Sequence, residues 1–340
     1  MSHSNPDTIR VDAAEMQQRF AEVLIRHGLR EDTAQSCAEI FTQSGLDGIY
    51  THGVNRFPRF IRYLKEGVIQ PLGVPTLEQS MGAWEQWNGH RGPGITNALS
   101  SMDRAITLAR EYGIGCVALN NTNHWMRGGS YGWQAAKAGF AAACWTNTIA
   151  NMPAWGGKDP RLGNNPLILA LPYKGEAVVL DMAMSQYSYG ALEQAALKGT
   201  TLEVPGGFDP EGNPTRDPSA ILESNRPLPV GYWKGAGLSL MLDLFATILS
   251  GGQATFQISQ KEIESGLSQV FIAIDLAKAT PYGGITRAIS SVLEDYKKSV
   301  PATDSDRIVY PGERVLETRK QNSRLGIPVL SLIWEEILRL

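Results

Sequence analysis

From residue 84 to residue 274, short apolar runs alternate with stretches of helical period. That alternation constrains the chain to a mixed α/β core. Residues 84–87 resemble a strand. An amphipathic helix is predicted over 95–110, with Leu99, Met102, Ile106 and Ala109 on one face. Residues 115–119 read as a buried strand, a second helix follows Ser130, and 141–146 form another strand. Residues 167–171 and 177–180 read as a hairpin across Pro172-Tyr173-Lys174-Gly175. The segment 204–229 is rich in Pro and Gly and too long for a simple connection, so it is expected to wrap the surface. Trp233-Lys234-Gly235 then opens a helix over 236–249 that is apolar nearly all round and expected in the core. A strand over 270–274, a helix over 286–298, a polar loop over 301–306 and closing helices complete the reading.

The first seventy residues have a different texture. After a short strand at Ile9-Arg10-Val11, Asp12 is placed to cap a helix over 13–27 that ends at Gly28. Met16, Phe20, Val23, Leu24 and His27 share its apolar stripe. Asp32 is expected to cap a second helix reaching residue 44, and a third runs over 54–65 with Pro58 in its first turn. The expected organisation is a helical segment 1–75, a mixed α/β core 76–310 and a C-terminal helical segment 311–340 packing back on the first.

The 340 residues carry a net charge of -3, which gives no electrostatic reason to expect nucleic acid or an anionic membrane as partner. The stretch 236–249 contains Asp243 and is shorter than the roughly 20 residues that span a bilayer. Met1 to Pro6, with His3, is polar and lacks the apolar core of a signal peptide, so a soluble cytoplasmic protein is expected. Cys37, Cys116 and Cys144 are widely spaced and read as reduced buried thiols. Neither a Cys-x-x-Cys nor a His-Glu-x-x-His motif occurs, so no metal site is expected.

Chemistry concentrates in Tyr50-Thr51-His52-Gly53-Val54-Asn55-Arg56-Phe57. An unperturbed imidazole titrates near neutrality, so His52 could give or take a proton. Arg56, four residues on, would lie beside it on one helix face and could clamp a carboxylate with its planar fork. The same residues would also serve as an ordinary helix start, with Thr51 as cap and both charges solvated. His124 sits in a Gly-rich loop after a strand, a common place for ligand contacts. His90 lies in another Gly loop and is a weaker candidate.

The nearest approach to a dinucleotide fingerprint, Gly113-Ile114-Gly115-Cys116-Val117-Ala118, follows a helix and runs into a strand. A Rossmann site needs the reverse order. Three other segments could hold such a ligand: Ala177-Val178-Val179-Leu180-Asp181-Met182-Ala183, a strand ending in an acid; Trp233-Lys234, an ammonium at a helix start; and Gly312-Glu313-Arg314, where glycine permits close approach and Arg could meet phosphate. Each also has a plain structural reading, as a cap, an exposed charge or a turn.

The stretch 50–60 resembles the signature of the type-2 malate/L-lactate dehydrogenase family. So do Asn123-His124-Trp125-Met126-Arg127-Gly128-Gly129-Ser130, Cys144-Trp145-Thr146-Asn147, Gly163-Asn164-Asn165-Pro166-Leu167, residues 180–185 and 231–235, in family order. Thr51 stands where the family usually has Ser. The resemblance implies a non-Rossmann fold, an open mixed sheet with surrounding helices, and a working homodimer. It implies NAD(P)H-dependent reduction of a 2-oxo acid, with NADH or NADPH held by the three segments above. His52 would be the proton donor and Arg56 the carboxylate clamp. Thr51 would bond substrate or His52, His124 would face substrate or nicotinamide, and Asp181 would orient a neighbouring group. Asn123, His124, Trp125 and Arg127 suit a hydroxyl-rich sugar acid. Malate, lactate, ureidoglycolate or a cyclic imino acid are the alternatives within the family, and a non-catalytic sugar-acid binder is the alternative outside it.

Overall fold

The computed structural model describes residues 8–279, 282–302 and 307–340. Residues 1–6 of the polar tail and 303–306 of the expected loop lie outside them.

The N-terminal part comprises β1 (Thr8–Val11), α1 (Ala13–Arg26), α2 (Glu31–Leu46), two 3-10 turns (Tyr50–His52 and Val54–Arg56) and α3 (Phe57–Lys65). Then come β2 (Thr76–Met81), β3 (Trp84–Asn88), α4 (Gly94–Tyr112), β4 (Ile114–Thr122), α5 (Gly129–Lys137) and β5 (Phe140–Thr146). Short β6 (Met152–Pro153) and β7 (Pro160–Leu162) precede the hairpin of β8 (Leu167–Tyr173) and β9 (Glu176–Met182). Next are α6 (Tyr189–Leu197), β10 (Gly207–Phe208), β11 (Pro214–Thr215), α7 (Pro218–Ser224) and α8 (Trp233–Ser250). The chain closes with α9 (Thr255–Ile258), β12 (Leu267–Asp275), α10 (Leu276–Ala279), α11 (Tyr282–Tyr296), α12 (Glu313–Leu325), β13 (Ile327–Leu330) and α13 (Ser331–Arg339).

The central sheet has the order β2-β3-β4-β12-β5-β8-β9. Only the β3–β4 pair is parallel, so the sheet is mixed and open, as the resemblance implied. Alternation sorts its side chains between two layers. Val117, Leu119, Phe271 and Cys144 join the core beneath α4 and α5, whereas Ala118, Val270 and Trp145 join the core beneath α8.

The N-terminal helices pack round a separate core in which Phe20 stacks on Phe57 with ring centroids 4.1 Å apart. Asp12 caps α1 as expected, accepting from Ala14 and Glu15. Asp32 does not cap α2. The helix begins at Glu31 after Arg30, which places Asp32 in its first turn. The C-terminal part holds a strand where only helices were expected: β13 pairs antiparallel with β1, from Thr8↔Leu330 to Val11↔Ile327.

Segment 204–229, expected to wrap the surface, carries β10, β11 and α7, which share with α6 a small core of Leu192, Leu202 and Ile221. One further expectation needs correction. Helix α8 is not fully buried. Ala236, Leu242 and Ala246 pack on the sheet, while Leu238, Leu240, Met241, Leu244, Phe245 and Ile248 face outward, Ile248 being 70% exposed. A sheet covers one face of a helix only, so apolarity on the other face asks for a second body.

Candidate active site

Residues 50–56 do not form one helix. They make two 3-10 turns broken at Gly53. A Cβ on Gly53 would lie 3.0 Å from the Gly45 nitrogen and the Phe41 oxygen, so glycine lets this segment lie directly on α2. Asn322 of α12 braces the approach, donating to the Gly45 and Leu46 carbonyls at 3.2 and 3.1 Å and to the Tyr50 hydroxyl at 3.2 Å. His52 and Arg56 therefore converge through a turn rather than along a helix face.

They converge on a cleft of about 1350 Å³ that Thr51, His52, Arg56, Arg59 and His124 line on one side. Thr148, Asn151, Asn164, Glu264, Tyr189 and Glu193 complete much of the rest. The rings of His52 and His124 are nearly parallel, with centroids 5.8 Å apart. Thr51 Oγ1 is 3.1 Å from His52 Nδ1. The Met126 N–H donates to His124 Nδ1 at 2.9 Å, from a residue with φ of 62°. In neutral His124 the proton is therefore on Nε2. Burial, with the charges of Arg56 and Arg127, lowers His52 to about 4. Burial and neighbouring Arg56 hold His124 well below the ordinary imidazole value. The near-neutral titration expected of His52 is thus corrected: burial and the neighbouring guanidiniums keep both rings neutral at pH 7.

Of the four residues read as suited to a sugar acid, only His124 reaches the cleft. Asn123 donates to the carbonyls of Arg91 and Gly92. Trp125 is core. Arg127 pairs with Asp47, which Arg319 also clamps at 2.6 and 3.0 Å. Burial alone would raise the Asp47 carboxyl, but the two guanidiniums hold it below its ordinary value.

Asp181 lies outside the cleft and accepts from the Gly129 N–H at 2.8 Å, so it caps α5. The protein packed round its carboxyl raises its pKa, opposed by Arg127 and that N–H. Two backbone contacts tie the other segments considered for a dinucleotide to the first or to its C-terminal end. The Val179 N–H donates to the Pro311 carbonyl at 3.1 Å, which lays Gly312 on β9, and the Val230 N–H donates to Met184 at 2.8 Å, which brings Trp233 and Lys234 past the end of β9. Lys234 and Arg314 are exposed, and Glu313 pairs with Lys297. Two features fit a phosphorylated, flat ligand. The N-terminus of α8 has no side-chain cap, and Gly312, at φ 92°, leaves open a space that a Cβ would fill at 3.2 Å from the Val179 nitrogen.

Glu264 escaped the sequence reading. It lies in an irregular stretch after α9, where no pattern marks it. Its Oε2 accepts from the Ile149 N–H at 2.9 Å, and the Ser259 hydroxyl accepts from Ala150 at 2.8 Å, so this stretch supports the far wall.

Comparison with known proteins agrees with this architecture. The malate/L-lactate dehydrogenase family profile matches residues 11–338. The chain is 45% identical over 330 residues to 2,3-diketo-L-gulonate reductase of Citrobacter koseri, covering 97% of this chain and 99% of that one. It is 46% identical over 332 residues, with the same coverage, to the protein of that name from Escherichia coli K12. Among solved structures it superposes on malate dehydrogenase from Pyrococcus horikoshii OT3 with a TM-score of 0.90 at 28% identity, covering 99% of this chain and 96% of the other. The chain therefore belongs to the malate/L-lactate dehydrogenase family, oxidoreductases that act on CH–OH groups.

Proposed function

We propose that the protein reduces 2,3-diketo-L-gulonate, or a closely similar 2-oxo sugar acid, with NADH or NADPH, and works as a soluble cytoplasmic homodimer. The observation that carries this reading is the meeting of His52, His124 and Arg56 in one cleft. Its volume exceeds the roughly 300–1,000 Å³ of an ordinary small-ligand site, leaving room for an acid beside part of a cofactor.

Ala177–Ala183, Trp233–Lys234 and Gly312–Arg314 would hold the dinucleotide. When bound, reduced nicotinamide supplies two electrons and one hydrogen to the carbonyl carbon. The remaining work belongs to this chain. Arg56 pairs with the substrate carboxylate and fixes its orientation. His52 gives a proton to the developing alkoxide oxygen. Burial keeps His52 neutral by itself, so it must take up that proton with the substrate, whose negative charge favours the imidazolium. Thr51 holds the imidazole through Nδ1. His124, with its proton on Nε2, offers a hydrogen bond to an oxo group.

The homodimer reading is supported by the outward apolar face of α8. The test is oxidation of NADH and of NADPH by 2,3-diketo-L-gulonate, followed by absorbance, in the wild type and His52→Ala. Loss of a placed proton donor costs about 100- to 10,000-fold in turnover. NADH binding should survive the substitution. Absence of oxidation by any 2-oxo acid would favour the non-catalytic binder.

A further inference from the structure

A carboxylate in a cleft built to receive an acid calls for a reason. Glu264 shares the cleft with Arg56, and each feels the other's charge, yet among the described residues they form no ion pair. Both line the same cleft, so one ligand there can meet both. One Glu264 oxygen is fixed by the Ile149 N–H, and the other has no hydrogen bond among the described residues. Burial, the largest influence, holds the carboxyl above its ordinary value, opposed by that N–H and by Arg56, both of which favour the ionised form.

In its ionised form, the one that alkaline pH favours, the carboxylate only accepts hydrogen bonds. A substrate whose acid end sits on Arg56 presents its remaining carbons to the rest of the cleft. If those carbons carry hydroxyls, they offer donors to Glu264. If they end in a second carboxylate, they bring two like charges together in a partly desolvated site. A short, unsubstituted acid gives Glu264 no partner at all.

We propose that Glu264 is a specificity-determining residue that selects hydroxylated 2-oxo acids and rejects dicarboxylic ones, an inference that rests on the reductase reading above. Asn151 and Thr148, on the same wall, are neutral and would tolerate either class.

Glu264→Gln tests this in the intact protein, because its amide oxygen can still accept from Ile149 while the charge is removed. At pH 8, kcat/KM for 2,3-diketo-L-gulonate should fall about tenfold and that for oxaloacetate should rise about tenfold, the size expected of one charged hydrogen bond or repulsion. General damage to the site would lower both, so the opposite signs identify the role. Parallel losses, or an unchanged ratio, would overturn it. A second arm does not depend on turnover: dissociation constants of L-gulonate and L-malate are measured by calorimetry with NADH present. The wild type should favour L-gulonate and Glu264→Gln should erase that preference; an unchanged preference, or none in the wild type, rejects the inference. Failure of turnover alone rejects the reductase reading and leaves this arm standing.

Discussion

The imidazoles of His52 and His124 lie face to face, 5.8 Å between centroids and 21° from parallel. Two protonated rings cannot share that space cheaply, and both are held neutral by burial and by Arg56. In the unfolded chain each titrates near its ordinary value of about 6.5. Below that pH the unfolded state binds protons that the folded state refuses, so stability is lost as the pH falls from about 6.5 toward 4. Urea unfolding at pH 7.5 and 4.5 should show a loss of a few kcal/mol. In His52→Asn the loss should shrink.

Arg56→Lys keeps the charge and discards the planar fork. The Michaelis constant for the oxo acid should rise by about tenfold or more, with turnover at saturation reduced much less. A loss confined to turnover would argue against carboxylate clamping.

Asp47 is fully buried and clamped by Arg127 and Arg319. Asp47→Ala leaves buried Arg127 without its anion and Arg319 with Glu176 at 3.6 Å, a change that costs about 3–5 kcal/mol for a buried pair. Thermal melting should fall accordingly. Arg127 adjoins Asp181 and Gly129, so the His124 loop should also loosen, which amide exchange at 124–130 would reveal.

Gly190 of α6 touches the substrate side of the N-terminal unit. A Cβ there would stand 2.7 Å from both Cβ and Cγ2 of Thr51. Gly190→Ala should displace α6 from the cleft and raise the Michaelis constant about tenfold, since overpacking of this kind costs about 1–3 kcal/mol. Thr51→Ser should not rescue it, because the Thr51 Cβ remains. Faster amide exchange over 189–197 is the accompanying sign.

Phe245 and Ile248 lie on the outward face of α8. Phe245→Asp should turn a dimer into a monomer in analytical ultracentrifugation, with a lower melting temperature. An unchanged sedimentation coefficient would place the subunit contact elsewhere.

The elements with local signatures were legible. Asp12 announces α1, the Lys174-Gly175 turn announces the β8–β9 hairpin, and Gly113, at φ 88°, ends α4 as a glycine should. Edge strand β2 was missed because all six of its residues are exposed and show no apolar alternation. His52, Arg56 and Thr51 were legible through chemistry packed into six residues. Asp47, Arg127 and Arg319 were not: they belong to three distant segments, and only the fold makes them one network. Asn123, Trp125 and Arg127 misled for a related reason. Their side chains suit a ligand, but the turn at Met126 sends them into the protein and leaves His124 alone at the cleft.

The pairing of β1 with β13 puts two strands far apart in the chain under one obligation during synthesis. Arg10 must await the Gly326 carbonyl, 316 residues downstream, which its guanidinium meets at 2.8 Å. At about 5–20 residues per second on the ribosome, that is a delay of roughly 15–60 s. His52 is translated well before β13, yet the helices beneath it lack their closing strand until β13 has been made. A nascent chain released short of β13 would carry His52 without the scaffold that aims it.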